Sequence, residues 1–268
     1  MIRAELLRQA KRRRTVLGLL TMAVLPVLIV VILLVAGPPE RSQGGQTFLS
    51  DIATGSGVNF ALFSLFVVAQ LLLVVVVALF AGDTVASEAQ WGSLRYLLLR
   101  PVARSVLLRV KLTVAGLYGL LAAALLCASS ILSGAVAFGT GGLTTPLGAF
   151  LPVGQSLRIY GITSAYVVTQ MLVVGALAFM LSTMTDAPLG AVGGAVMIMI
   201  VSSVLDAISS LGVLRYGLPT HYSSAWFGLL SSPQETGDMV RGLALQVPWT
   251  VVPLAIGWRV FARKDVLS

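Results

Sequence analysis

Residues 58–81 read VNFALFSLFVVAQLLLVVVVALFA, a run without a charged residue in which apolar side chains predominate. An α-helix rises about 1.5 Å per residue, so about 20 such residues cross the roughly 30 Å hydrocarbon core of a bilayer. The run is continuous and does not alternate in polarity, which favours a membrane-spanning helix over a barrel strand. This stretch therefore predicts a helical membrane protein.

The rest of the chain has the composition that this prediction requires. Apolar residues make up 57% of the sequence and charged residues only 10%, with a mean hydropathy of +0.95. A soluble surface cannot be covered with so few charges. We therefore predict an all-α polytopic membrane protein, with residues 1–268 forming one transmembrane domain. Its six spans are predicted at 16–36, 58–81, 112–138, 160–183, 187–208 and 242–260.

The basic residues predict how the spans are oriented. Of the 18 lysines and arginines, 14 lie before the first span, between spans two and three, or at the end of span six and beyond it. Basic residues accumulate on the cytoplasmic side of a membrane, so both termini are predicted there. Attraction to anionic lipid at that surface accounts for the net charge of +8. A nucleic-acid partner is disfavoured, because the basic residues are divided among flanking segments without a recognition motif.

Residues 2–14 are predicted to form an amphipathic helix on the inner surface. Ile2, Leu6 and Leu7 would face lipid, and the arginines would face the headgroups. A disordered basic anchor is the alternative. A cleaved signal peptide is disfavoured, because the run 16–36 exceeds the usual hydrophobic region and has no clear cleavage site.

Several kinds of chemical site are excluded by the residue inventory. Cys127 is the only cysteine and His221 the only histidine, so an internal disulfide, a thiolate metal cluster and a zinc-protease motif are all impossible. We find no nucleophile elbow of the G-x-S-x-G type. The three lysines, Lys11, Lys111 and Lys264, do not lie in a phosphate-binding loop. The sequence therefore predicts a protein that is not an enzyme and binds no metal or nucleotide cofactor of its own.

The carboxylates also lie outside the interiors of the predicted spans. Asp83 and Asp186 fall at predicted inner ends and Asp206 near a predicted outer end. Ion-driven transporters usually hold ionisable groups at membrane depth, where such groups are costly and functional. If this protein moves a solute against a gradient, another polypeptide must supply the work.

A charged segment, ASEAQWGSLRYLLLRPVARSVLLRVK at 86–111, separates the second and third spans. From about Asp83 a helix would place Trp91, Leu94 and Leu98 on one face and Glu88 and Arg95 elsewhere. Pro101 disfavours helical geometry at Arg100 and suits the first turn of a following helix. The pattern predicts a helical elbow with charges projecting toward a partner, and a solvated positive-inside loop is an equal alternative.

This segment resembles the permeases of the type-2 exporter family of ATP-binding-cassette transporters. The likeness is carried by Glu88, Gly92-Ser93-Leu94-Arg95, Leu98, Arg100-Pro101, Arg104 and Lys111, with Ser93 where threonine is common. The tail is also similar to the end of that family, through Phe261, Arg263, Lys264 and Asp265. Six spans, an inner N-terminal helix and a long outer loop extend the likeness over nearly the whole chain.

The resemblance implies a division of labour between subunits. Residues 83–100 would form a coupling helix that docks on a separate cytosolic ATPase subunit, which would bind ATP and Mg²⁺. A second permease subunit, identical or different, would face this one in the cell membrane. The residues that the resemblance assigns to coupling are Glu88, Trp91, Gly92, Leu94, Arg95, Leu98, Arg100, Pro101 and Arg104.

Two amides are candidates for a translocation path. Gln70 and Gln170 both fall near the midpoints of their predicted spans. An amide in hydrocarbon requires partners, so each should face other helices or a cavity. Interhelical bonding and contact with a solute are both compatible with this position. Methionines of spans four and five, such as Met171 and Met199, can line an adaptable pocket or pack as ordinary core.

The predicted outer segment 209–241 is too long for a simple turn. Tyr216, Tyr222, Trp226 and Phe227 suit the headgroup layer, so short helices dipping into the outer leaflet are predicted. Together these features predict an exporter subunit for an amphipathic or lipid-like solute. The alternatives are a scaffold that recruits a cytosolic protein, and a transducer that passes an ATPase stroke to an outer complex.

Overall fold

The protein is a bundle of long helices. The computed structural model describes residues 2–36, 52–90, 103–146 and 148–263. Within these ranges the α-helices, numbered here in chain order, are α1 Ile2–Ala10, α2 Arg13–Ala36, α3 Gly57–Gln90, α4 Arg104–Phe138, α5 Val153–Met184, α6 Pro188–Ala207 and α7 Gly237–Arg263.

Helices α2 to α7 are each long and apolar enough to cross a membrane. The predicted all-α fold with six spans is confirmed, and the chain is a multi-pass membrane protein. Several helices extend beyond the predicted spans; α4, with 35 residues, is about 50 Å long and exceeds the hydrocarbon core. Their additional turns include charged and polar residues, so hydropathy locates the membrane-embedded part of each helix but not its ends.

Helices α3 and α5 form the centre of the bundle. α3 packs against α4, α5 and α6, while α5 also packs against α6 and α7. Phe60, Leu65 and Leu73 of α3 and Phe179 of α5 are almost fully buried. α2 packs mainly against α4 and exposes many leucines, isoleucines and valines, the surface expected of a lipid-facing helix.

Two glycines allow α3 and α4 to touch at their backbones. A Cβ on Gly134 would lie 2.6 Å from the Gly57 carbonyl oxygen, and one on Gly57 would lie 2.6 Å from the Ala135 nitrogen. The Gly57 amide also donates a hydrogen bond to the Gly139 carbonyl at 2.9 Å. Small residues permit this close approach between spanning helices. The contact fixes the start of α3 to the end of α4.

Helix α3 contains one π-helical turn at Ala69–Leu73. Such turns insert one residue into the α-helical repeat and are frequent at functional sites. This turn contains Gln70, one of the predicted path residues. The apolar periodicity of the sequence does not indicate it.

The two ends of the bundle differ in chemistry. The basic end gathers α1, the end of α3, the start of α4 and the end of α7. At the opposite end, strands β1 Leu143–Thr144 and β2 Phe150–Leu151 pair antiparallel, with Leu143 opposite Leu151. Asn59 holds this hairpin, since its Nδ2 donates to the Thr144 carbonyl at 2.7 Å and its Oδ1 accepts from the Thr144 amide at 3.0 Å.

The predicted outer segment contains two 3₁₀ helices, Ser209–Gly217 and Ala225–Leu230. Tyr216 is exposed, as the prediction for the headgroup layer requires. For Trp226 that prediction is wrong: only 2% of its surface is exposed, and its ring stacks on Phe227. Burying a large aromatic ring against other side chains is more favourable than leaving it in the headgroup layer, and Trp226 is buried in a cavity wall.

Candidate functional site

A cavity of about 430 Å³ lies between α3, α5 and α6, beneath the outer segment. It falls within the usual size range of small-molecule pockets, about 300–1,000 Å³. Its walls are mainly apolar and, among the described residues, include no charged side chain. They are formed by Leu65, Phe66, Ala69, Gln70, Leu71, Val74, Val167, Gln170, Met171, Val196, Met199, Ile200, Ser203, Val204, Ala207, Pro219, Thr220, Ser223 and Trp226.

The structure brings the two predicted path residues to this one cavity. Gln70 projects from the π-helical turn of α3, where its Nε2 donates to Ser224 Oγ at 3.4 Å. Gln170 lines the cavity from α5 and is buried. The sequence placed each of these amides near the middle of a span. Only the fold shows that the two face the same cavity.

A third glutamine, Gln246 of α7, completes the polar part of this region. Gln246 is buried, and its Nε2 donates a hydrogen bond to Gln170 Oε1. Sequence reasoning missed this residue. The signal was present, because Gln246 lies inside the predicted sixth span and the criterion of an amide in hydrocarbon applies to it equally.

The methionines divide between the cavity and other surroundings. Met171 and Met199 line it, in agreement with one of the two readings of these residues. Met180 packs against the core, while Met184 and Met197 are exposed. Only part of the methionine set therefore contributes a flexible apolar wall.

An ion-pair network is buried at the basic end. Lys111 Nζ of α4 lies 2.5 Å from Glu88 Oε1 of α3, and only 2% of either side chain is exposed. Lys111 also donates to the Thr84 carbonyl at 2.9 Å. Arg8 of α1 bonds to the same Glu88 oxygen and reaches Glu5 at 2.7 Å. Three helices therefore meet at one carboxylate.

A second carboxylate, Asp83, binds the start of α2. Arg12 donates to its Oδ2, and Arg14 Nη1 lies 3.1 Å from its Oδ1. Ser87, one turn along α3, donates to the Asp83 carbonyl at 2.5 Å. The cleft of about 450 Å³ beside these groups is lined by Arg8, Arg12, Arg13, Arg14, Asp83, Ser87 and Glu88.

The charges of this network shift the pKa values of two side chains of α1, Glu5 and Arg8. Burial alone would raise the pKa of the Glu5 carboxyl, but Lys111 and Arg8 outweigh burial and lower that pKa below its ordinary value. Burial would lower the pKa of Arg8, yet Glu88 and Glu5 raise it. Both groups are therefore held in their charged forms.

These contacts correct two predictions about the basic end. Glu88 does not project toward a partner, because its carboxylate is buried as the shared acceptor of Lys111 and Arg8. Helix α1 ends at Ala10 instead of continuing to residue 14, and Arg8, Arg12 and Arg14 face acidic side chains of α3. Burying a carboxylate is costly unless a cation is paired with it. The arginines therefore bind the two carboxylates of α3 instead of the lipid headgroups.

The remaining coupling residues fall in two groups. Arg104 begins α4, and its Nη1 donates to the Ala262 carbonyl of α7 at 3.1 Å, next to Phe261, which is buried. This bond satisfies a carbonyl in the last turn of α7. Trp91, Gly92, Leu94, Arg95, Leu98, Arg100 and Pro101 lie outside the described residues, as do Lys264 and Asp265.

His221 lies in the outer segment, where its side chain contacts other protein side chains. Its Nδ1 is 2.5 Å from Asp206 Oδ1, and Arg215 Nε is 3.4 Å from the same oxygen. The rings of Tyr216 and Tyr222 approach the imidazole edge to face, with centroids at 5.0 and 4.7 Å. These contacts fix the segment to the end of α6.

Comparison with known proteins identifies a family and one curated relative. A family model described as "Protein of unknown function (DUF2705)" matches residues 39–267. The uncharacterized protein YhcI of Bacillus subtilis (strain 168) is 41% identical over 64 residues, which is 24% of this chain. That match spans 20% of the length of the curated relative.

Proposed function

The chain belongs to the DUF2705 family, and we propose that it is the permease subunit of an ATP-driven exporter in the cytoplasmic membrane. It moves an amphipathic or lipid-like solute out of the cytoplasm or the inner leaflet. ATP and Mg²⁺ are bound by separate cytosolic ATPase subunits. A second permease subunit completes the path.

The observation that carries this proposal is the central cavity. An apolar cavity with amide groups on its walls lies among the spanning helices and is partly open at the surface of the bundle. Such a chamber suits a solute with a long apolar part and a small polar part. Among the residues that the structure describes, the cavity walls carry none of the ionisable groups that ion-driven transport requires, which favours an external energy source.

Helix α3 supplies a physical connection between that chamber and the proposed ATPase contact. It runs from Gln70, at the cavity, to Glu88, in the buried ion-pair network. Eighteen residues of helix span about 27 Å. The resemblance assigns residues 83–100 to the coupling helix, and this helix contains the first part of that range, through Gln90. A displacement of that segment would therefore act on the cavity wall through a single helix.

Co-purification and transport would test the proposal. A candidate cassette ATPase, sought first in the neighbouring reading frames, is co-expressed with this chain, and any complex is reconstituted in vesicles. We expect ATP-dependent movement of a fluorescent amphiphile. Leu94→Pro should abolish it and release the ATPase, whereas the same vesicles without ATP provide the baseline. An ATPase that neither binds nor responds to this chain would contradict the proposal.

Bulky substitutions in the cavity separate transport from assembly. Gln70→Trp or Gln170→Trp should abolish transport and leave ATPase binding intact, because each fills the chamber without touching the basic end. Gln234→Trp, in an exposed part of the outer segment, is the matched control and should transport normally.

A transducer or scaffold is the second candidate. The ion-pair network favours it, since Glu88 joins α1, α3 and α4 into one unit that can pass force without any solute. In that case the bulky cavity variants would retain full activity of the assembled complex.

A further inference from the structure

A second cavity, of about 400 Å³, lies between α3, α4, α5 and α7. Its lining is mainly apolar and, among the described residues, includes no charged side chain. Val77 and Ala81 of α3 are buried at its base, whereas Leu120 of α4 and Leu172 of α5 are more than half exposed at its rim. The cavity is therefore a groove that opens on the apolar surface of the bundle. Within the described residues it shares only Met171 with the cavity that contains the two amides.

The length of this groove matches one leaflet of a bilayer. Along α4 its lining extends from Leu112 to Ala123. These eleven steps of an α-helix rise about 16 Å. Half of the hydrocarbon core of a bilayer is about 15 Å thick, whereas a spanning helix of a partner would need a groove of about 30 Å. The groove is therefore long enough for an acyl chain of one leaflet and too short to hold a second spanning helix along its whole length.

A cation lies at the end of the groove nearest the basic end of the bundle. Arg109 is exposed and forms no ion pair within the part of the chain that the structure describes. It precedes Leu112 by three residues and Gly116 by seven, so all three lie on the same side of α4. Lys111, two residues from Arg109, projects from the opposite side, where it binds Glu88. The carboxylates of the ion-pair network therefore do not neutralise Arg109.

We infer that this groove binds a phospholipid of the leaflet at the basic end, with an acyl chain between α4 and α7 and the phosphate on Arg109. The predicted third span begins at residue 112, so Arg109 lies at the level of the headgroups. A guanidinium binds phosphate through two parallel N–H donors, which makes arginine the usual partner of this group. The site is separate from the cavity proposed for transport, and the inference does not depend on that function.

Native mass spectrometry of the full chain, released from detergent micelles, counts the bound molecules directly. Three probes separate the two halves of the ligand: dioleoylphosphatidylglycerol, dioleoylglycerol without the phosphate, and glycerol phosphate without the chains. We expect saturable binding of a single phosphatidylglycerol molecule. The other two probes should bind at least about tenfold more weakly, since the loss of one hydrogen bond to a charged group has this size.

Two substitutions test the two halves of the site. Arg109→Gln should weaken the binding of phosphatidylglycerol about tenfold and leave that of dioleoylglycerol unchanged. A Cβ at Gly116, which lines the groove, meets no described atom within 4 Å. Gly116→Leu should therefore fold, occupy the groove and weaken both lipids about tenfold, because the chain loses buried apolar contact.

Matched controls lie outside the groove. Arg13 is an exposed arginine at the start of α2, and Gly193 is an exposed glycine of α6 with nothing within 4 Å of an added Cβ. Arg13→Gln and Gly193→Leu should bind phosphatidylglycerol as the unaltered chain does.

Several results would overturn the inference. Equal losses in Arg13→Gln and Arg109→Gln would reduce the effect to general surface charge, and tight binding of glycerol phosphate would indicate a site for free phosphate. A dimer of this chain that Gly116→Leu dissociates would assign the groove to a second copy. If Gly116→Leu does not fold, the comparison of the two exposed arginines decides alone. The assay contains no ATPase, so its outcome is independent of the proposed function.

Discussion

Lys111 and Glu88 are unusual residues to find almost fully buried in a membrane protein. Removing each charge from water costs several kcal/mol, and their attraction offsets this only when the remaining bonding groups are satisfied. Here Lys111 gains the Thr84 carbonyl and Glu88 gains Arg8. The pair therefore does more to specify how α1, α3 and α4 fit together than to stabilise them.

Breaking this pair should destabilise the protein strongly. We expect Glu88→Gln or Lys111→Met to lower the free energy of unfolding by about 3 kcal/mol, because the remaining charge stays buried. The double variant should recover part of the loss. Denaturant unfolding in mild detergent measures both effects.

The control for this pair is Arg241 with Asp238, which lies at the opposite end of the bundle with both side chains largely exposed. Arg241→Ala should change stability by less than about 1 kcal/mol. Equal effects of the buried and exposed substitutions would contradict the assignment.

Acid should weaken the attachment of α1 through Glu5. Its folded-state pKa is lowered by Lys111 and Arg8, so its contribution is complete above the ordinary value of 4.5 and is lost as the pH falls through the folded value. Between about pH 6 and about pH 3, the melting temperature should fall less in Glu5→Gln than in the unaltered chain.

Other carboxylates titrate in the same range, so the informative quantity is the difference between the variant and the unaltered chain. Glu235→Gln, at an exposed position in the outer segment, should show the full decrease. A Glu5→Gln protein with the same pH dependence as the unaltered chain would exclude this role of Glu5.

For single side chains, the sequence predicted the polarity of the surroundings better than it predicted which residues the side chain contacts. It indicated that Gln70 and Gln170 required polar neighbours, since hydrocarbon supplies none. Gln246 meets the same criterion and was overlooked, but the sequence does not indicate that it is the partner of Gln170, because that depends on how the helices cross. It misplaced Glu88 because helical periodicity shows which face a residue occupies and not what covers that face.

Among the helices, the crossing of α3 and α4 is the most restrictive contact. Gly134→Ala should destabilise the protein by about 1–3 kcal/mol or more, since its Cβ would lie 2.6 Å from the Gly57 carbonyl oxygen. The backbone cannot yield as a flexible side chain can. Thermal unfolding of the variant in detergent measures this.

Gly116 of the same helix provides the matched control. A Cβ at this position meets nothing within 4 Å among the described atoms. Gly116→Ala should therefore be neutral or should stabilise α4 by up to about 1 kcal/mol through its higher helix propensity. Equal losses from the two substitutions would mean that the crossing is not a tight contact.

The spanning helices themselves could be predicted from hydropathy, because each must satisfy its backbone internally in lipid. Their polar ends could not, as α4 and α5 show. The π-helical turn in α3 was also beyond sequence reasoning, since it arises from packing around one inserted residue. That turn nevertheless places Gln70 at the cavity.

The topology of the whole molecule can be tested with cysteine labelling. In a Cys127→Ser background, Ser232→Cys in the outer segment should react with a membrane-impermeant maleimide in intact cells. Lys11→Cys should react only after the cells are opened. This follows from the concentration of basic residues at one end of the bundle. The reverse pattern would place the basic end outside and remove the proposed ATPase contact.

The order of the spans and the even number of crossings followed from the sequence, whereas the central chamber did not. Its walls come from α3, α5, α6 and the segment between α6 and α7. No local pattern connects side chains so distant in the chain. The sequence proposed Gln70 and Gln170 for a translocation path, but only the packing of the helices shows that both line one cavity.

Helices α3 and α4 are fastened to each other twice, by the glycine contact near one surface of the membrane and by Glu88 with Lys111 near the other. Because α3 and α4 are in contact at both ends, their crossing angle cannot change without breaking one of the two contacts. Any force on the short connection between them must tilt the pair as one body against α5, α6 and α7.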